Sequence, residues 1–204
     1  MLLKKNTHLG KSILYNFLGQ GWTFLVGMVA VPFYIQYLGI EGYGLLGFYG
    51  VIRAVFNSFL DLGLSVTIKR EIAQYAVSPK KVGQTRDLLR TMEIPYWVIG
   101  VFLCLILYFS APFLSTYWIR SETIPLPTIE KVIVLMGLIT LFQWPLTLYQ
   151  GGLIGLEKII LLNKINIAAA TLRAGGGILA VYLFSTPIIV FFLWQIVLSI
   201  IQVL

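Results

Sequence analysis

The chain has 204 residues, of which 58% are apolar and 11% charged, whereas soluble domains carry about 25% charged residues. Too little polar surface is left to cover a water-exposed globule, which excludes a soluble enzyme or binding domain and makes this an integral membrane protein. The net charge of +7 does not indicate nucleic acid, because the basic residues follow a pattern that a membrane already explains.

Six apolar stretches approach the ~20 residues needed to cross ~30 Å of hydrocarbon: about 13–38, 44–68, 94–114, 132–156, 165–184 and 187–204. They predict an all-α, polytopic bundle of six transmembrane helices, with residues 1–204 as a single domain. The first span follows Lys4, Lys5 and Lys11. It exceeds the ~7–15 residues of a signal-peptide core and no small-residue cleavage site follows, so it reads as a retained helix. Asn16, Gln20 and Thr23 fall at i, i+4 and i+7, with Gly27 on the same face and a kink expected at Pro32. Such a face either packs on a neighbouring helix or lines a cavity.

In the second span Arg53, Asn57 and Asp61 are spaced by four and form one polar stripe. Counted from the outer end near Gly44, Arg53 lies about 14 Å deep and Asp61 about 25 Å deep. A charge facing only lipid at such depth costs at least ~2.5–3.5 kcal/mol. Two readings account for Arg53: a structural ion pair with Asp61 bridged through Asn57, or a cation lining a wet cavity that takes an anionic substrate. Asp61 is also a candidate for binding a coupling cation.

The polar connector from Thr67 to Glu93 carries Ile68, Ile72 and Tyr75, then Val82, Leu88 and Leu89. The pattern predicts two short amphipathic helices broken at Ser78–Pro79, either lying against anionic lipid or solvated. The third span has only Cys104 as a polar residue at its centre and is expected to face lipid. A single cysteine supports neither a disulfide nor a paired metal site, and packing is its expected role. Pro125 and Pro127 mark a short extracytoplasmic loop within 115–131, while Tyr108, Tyr117 and Trp118, like Tyr37, Tyr43 and Tyr49, read as interfacial anchors.

Polar stripes recur as Thr140, Gln143, Thr147 and Gln150 in the fourth span, interrupted by Pro145, and as Gln195, Ser199 and Gln202 in the sixth. The fifth carries Arg173, with Asn166 before it and Gly175, Gly176 and Gly177 after it. Arg173 either snorkels to the inner headgroups or faces substrate. The glycines follow no strand, which rules against a phosphate-cradling loop and leaves close helix packing or a flexible point. Five helices with inward stripes and two arginines predict a cavity of positive potential, suited to a pyrophosphate or acidic sugar held by bidentate guanidinium contacts.

Basic residues gather at Lys4, Lys5 and Lys11, at Lys69 to Arg90, and at Lys158 and Lys164, and are sparse on the alternate side. The positive-inside rule then places the N-terminus and the 67–93 connector in the cytoplasm. The last span stops without a charged flank, so the sequence is expected to be the N-terminal part of a longer protein. Any repeat partner would lie beyond Leu204. A membrane enzyme would need a base or nucleophile, yet His8 is the sole histidine, and neither a carboxylate pair nor metal-ligand spacing occurs. The residues call for no cofactor or metal.

A family resemblance lies in residues 32–70. Tyr37-Leu38-Gly39 to Tyr43-Gly44, an arginine in the following helix, Leu60-Asp61-Leu62-Gly63-Leu64 and a basic pair after it, with the earlier Asn16, Gln20 and Gly21, resemble the bacterial polysaccharide flippases of the multidrug/oligosaccharidyl-lipid/polysaccharide exporter superfamily. The resemblance implies a two-lobe, all-α transporter in the bacterial cytoplasmic membrane, moving undecaprenyl-diphosphate-linked oligosaccharide to the outer leaflet by alternating access, with membrane lipids as further partners and the C-terminal lobe missing here. Arg53 matches a position that is often basic in such proteins. The expected substrate contacts are Arg53 and Arg173, with Asn16, Gln20, Asn57 and Gln143 holding the head group. The rival readings are a multidrug or peptidoglycan-precursor exporter of the same superfamily, a glycan-assembly enzyme, and a half-size scaffold acting as a dimer. The residues name neither the glycan nor the coupling ion.

Overall fold

The computed structural model describes residues 2–60, 64–77 and 82–203. The described residues form helices α1 (Leu2–Leu60), α2 (Leu64–Val77), α3 (Val82–Phe113), α4 (Leu126–Gly155), α5 (Ile159–Leu183) and α6 (Pro187–Val203), with a π-helical turn at Leu114–Trp118 after α3. The architecture is all-α, as the length of the apolar spans predicts, since a helix satisfies its backbone polar groups in hydrocarbon within one segment. Among the described residues, four helices are long and apolar enough to cross a membrane, while α6 is a shorter apolar helix.

Helix α1 is two helices joined at Gly39, whose φ of 75° and ψ of 172° are non-helical and accessible essentially to glycine alone. Thirty residues of straight helix would separate Thr23 from Arg53 by about 45 Å, yet both line one cavity. The chain therefore doubles back at Gly39, and the bend falls at the predicted outer turn. Pro32 stays inside the first arm.

Helix α4 is the central pillar. Val132, Ile133, Met136, Ile139 and Leu148 are wholly buried along it, and it packs against α3, α6 and α2. Pro145 has no N–H to offer the Leu141 carbonyl, and Gly100 of α3 lies against that carbonyl, where a Cβ would come within 3.0 Å. Glycine at this crossing lets two backbones approach, which is how helices associate in lipid. One apolar cluster joins Tyr34, Leu107, Ile133, Met136, Phe191 and Phe192. A second joins Ile68, Ile72, Tyr96, Leu103, Trp144 and Leu148.

Several expectations are corrected. The described part of the second span runs to Leu60 and α2 covers Leu64–Val77, while residues 61–63 between them lie outside the described residues. Ile68 and Ile72 of α2 are buried against α4 rather than turned to lipid, because Gly151, Gly152 and Gly155 leave α4 flat where α2 crosses it. The second short amphipathic helix does not stand alone. From Val82 it continues through Pro95 into the third span as one helix. That span does not face lipid all round: Val98, Phe102 and Phe109 are exposed, but Tyr96, Leu103, Leu107 and Ala111 are buried in the α3–α4 contact. The loop before α4 is shorter than predicted, since Pro125 caps the helix and Pro127 sits in its first turn, where the missing N–H costs nothing.

Candidate functional site

Both arms of α1 together with α4, α5 and α6 surround a cavity of about 550 Å³. The first arm supplies Gln20 and Thr23, the second arm Arg53, α4 Gln143 and Gln150, α5 Asn163, Asn166 and Arg173, and α6 Gln202. Among the described residues, the lining contains two cations and no carboxylate. These side chains converge because each helix turns its polar stripe away from lipid, where an amide or guanidinium would lack partners.

The two arginines have different surroundings. Arg173 is half-buried, with Nη1 donating to Gln195 Oε1 at 2.9 Å and Nη2 to Ser199 Oγ at 3.2 Å and to Gln202 Oε1. Ser199 also accepts from Gln143 Nε2 at 3.3 Å, and Gln143 Oε1 accepts from Tyr49 at 3.4 Å. One polar chain thus ties α5, α6, α4 and the second arm of α1 together. The Arg173 guanidinium turns to α6, not to the inner headgroups. Arg53 is exposed on the open side of the cavity and, among the described residues, makes no hydrogen bond.

Of the residues singled out from the sequence, Arg53, Arg173, Gln20 and Gln143 share the cavity. Asn57 lines a small recess beside it. Asn16 does not reach the cavity but accepts a 3.3 Å hydrogen bond from Gln20 Nε2, one turn away. Asp61 lies outside the described residues, so the Arg53–Asp61 pairing does too. The sequence reading missed Asn163, which is buried with Nδ2 on the Ile159 carbonyl and lies where a Cβ on Gly19 would meet its side chain. Its place before the expected start of the fifth span concealed it, because α5 begins six residues earlier than predicted. Gln150 and Gln202 belonged to recognised stripes.

At the outer turn, Glu41 accepts from the Ser121 and Thr123 hydroxyls and from the backbone N–H groups of Glu122 at 3.2 Å and Thr123 at 3.0 Å. These donors, the Ser121 hydroxyl foremost, hold its carboxyl down to a pKa of about 2. They fasten the start of the second arm to the α3–α4 loop.

Helices in this arrangement, with apolar outer faces and a polar cationic interior, fit a multi-pass membrane protein. The family described as "Polysaccharide biosynthesis protein" matches residues 9–204. The chain belongs to that family. A protein of Escherichia coli (strain K12), provisionally named an O-antigen transporter, is 23% identical over 148 residues, which cover 70% of this chain and 32% of the relative. The matched part of this polysaccharide biosynthesis family member thus spans about a third of that relative's length. No solved structure matches the chain.

Proposed function

We propose that this chain is a lobe of a flippase that carries a lipid-linked oligosaccharide across the cytoplasmic membrane by alternating access, for polysaccharide or O-antigen assembly. The observation that carries the reading is Arg53: a cation with no described hydrogen-bond partner, on the wall of a polar cavity bounded by apolar helices. A lipid diphosphate supplies what such a guanidinium lacks, a multiply charged partner with oxygens spaced for two parallel N–H bonds. Gln20 and Asn57 would share the head group, Asn16 would hold Gln20, and the prenyl chain would trail into lipid between the helices. Arg173 and Gln143, already bonded to each other's partner Ser199, would shape the wall and add positive potential. The charge asymmetry of the loops supports an N-terminus and an α2 connector on the cytoplasmic side.

Two cations among the described lining residues weigh against a drug exporter for cations. The test is Arg53→Ala in the full-length protein, scored by appearance of the lipid-linked glycan in the outer leaflet and by protein level in the membrane. Loss of export with the level kept is expected, whereas wild-type export by the variant would remove Arg53 from the substrate site.

A further inference from the structure

Helices α3, α4 and α6 form a second groove, of about 530 Å³, which shares no lining residue with the cationic cavity. Its size falls within the ~300–1,000 Å³ of small-molecule sites. The walls are apolar: Phe109 and Pro112 of α3, Val134 and Leu135 of α4 and Ile189 of α6. Glu130 and Lys131 also line it, one helical turn nearer the start of α4 than Val134 and Leu135. That end of the lobe is the one at which Glu41 holds the loop leading into α4. Tyr117 and Trp118 are exposed there, as rings at headgroup level are. An ionic rim at headgroup level over an apolar floor is the polarity profile of a phospholipid.

The two charges are available to a ligand. Lys131 is exposed and Glu130 half-buried, and among the described residues neither has an ion-pair partner. The carboxylate's one described donor is the Ser115 hydroxyl, whose single proton is shared between Glu130 Oε1 at 3.4 Å and the Pro112 carbonyl at 3.0 Å. Residues 61–63 and 78–81, which are not described, flank α2 in the chain. Helix α2 packs on α4 at Gly151 and Gly155, about 30 Å along the helix from Lys131.

We propose that this groove binds one phospholipid whose headgroup carries both a phosphate and a primary ammonium, as in phosphatidylethanolamine. Lys131 takes the phosphate, Glu130 takes the ammonium, and the start of an acyl chain lies along Val134, Leu135 and Ile189. Both polar contacts are charge-assisted and so of the stronger kind. A singly anionic lipid offers Glu130 no cation, and a trimethylammonium headgroup has no N–H to donate. The groove and the cavity are separate, so this inference and the transport reading stand or fall independently.

The full-length protein in detergent is offered phosphatidylethanolamine, phosphatidylcholine and phosphatidylglycerol with identical acyl chains, and bound lipid is counted by native mass spectrometry. Phosphatidylethanolamine should be retained about tenfold over the other two. Glu130→Gln keeps an acceptor for Ser115 but removes the charge, and should abolish the preference over phosphatidylcholine. Lys131→Ala should weaken both of these lipids alike, and Arg53→Ala should bind as wild type does. Equal retention of all three lipids by the wild-type protein, or a preference that Glu130→Gln leaves intact, would overturn the site. Preference for phosphatidylglycerol would also overturn it, by showing Lys131 acting alone. Should the variants fail to fold, a phosphatidylethanolamine with a photoactivatable acyl chain decides on the wild-type protein. Crosslinks on Phe109, Val134 and Leu135 are expected, and crosslinks spread over the lipid-exposed helices would refute a defined groove site.

Discussion

The guanidinium of Arg173 crosses from α5 to α6 and donates to Gln195 Oε1 at 2.9 Å, while Gln195 Nε2 returns a 3.5 Å contact to the Arg173 carbonyl. With Ser199 and Gln202 accepting from the other nitrogen, the charge is spread over three α6 side chains. Two amides and a hydroxyl thus replace the carboxylate that a buried arginine would otherwise need.

Arg173→Ala should therefore act on stability. It removes charged hydrogen bonds worth about 1.5–3 kcal/mol, and thermal unfolding in detergent should show a clear decrease. Arg173→Lys should recover only part of it, because one ammonium cannot reproduce the planar fork. Arg53→Ala should leave the melting temperature close to wild type. Equal melting of Arg173→Ala and wild type would contradict the network.

The Glu41 latch makes a pH prediction. Its carboxyl titrates at about 2 rather than 4.5, so its contribution is fully present above the unfolded value and is lost as pH falls through the folded one. Carbon-detected titration of Glu41 should give a midpoint near 2, and Ser121→Ala or Thr123→Ala should raise it. A midpoint near 4.5 in the intact protein would show that the loop does not hold the carboxylate.

Neighbouring glycines in α5 should respond differently to the same change. A Cβ on Gly176 would meet the Trp194 ring at 2.2 Å, whereas one on Gly175 has nothing within 4 Å. Gly176→Ala should lower stability by about 1–3 kcal/mol through overpacking. Gly175→Ala should be neutral or slightly stabilising, given alanine's higher helix propensity. Melting of the two variants side by side checks this, and equal effects would show that α5 and α6 are not packed as described.

Gly39 is a conformational requirement instead. Nothing crowds it, yet its φ of 75° strains any L side chain, so Gly39→Ala should destabilise by about 1–3 kcal/mol. Thermal unfolding tests this, and an unchanged melting temperature would mean that the two arms are joined by a different bend.

What the sequence determined by itself is the solvent and the helices. A chain with 11% charged residues belongs in lipid, and apolar spans near ~20 residues select helices over the ~9–11-residue strands of a barrel, with the rare polar residues facing inward. The stripes carrying Gln20, Arg53, Gln143 and Arg173 were legible because helical periodicity is local. Local signals also set the turn at Gly39, although not its geometry.

The tertiary structure decided what depends on contacts between distant segments. Ile68 and Ile72 carry the same amphipathic signal whether they meet lipid or α4, and the α4 glycines that admit them lie some eighty residues away. Pro127 read as part of a loop, yet it lies inside a helix, because a first turn has no N–H to lose. The roles of the two arginines diverged for the same reason: both looked alike as lone cations in apolar spans, but only Arg173 lies opposite the stripe of α6 that takes up its hydrogen bonds. The packing of α5 on α6 assigned those partners, and nothing in the local sequence of either helix encodes that register.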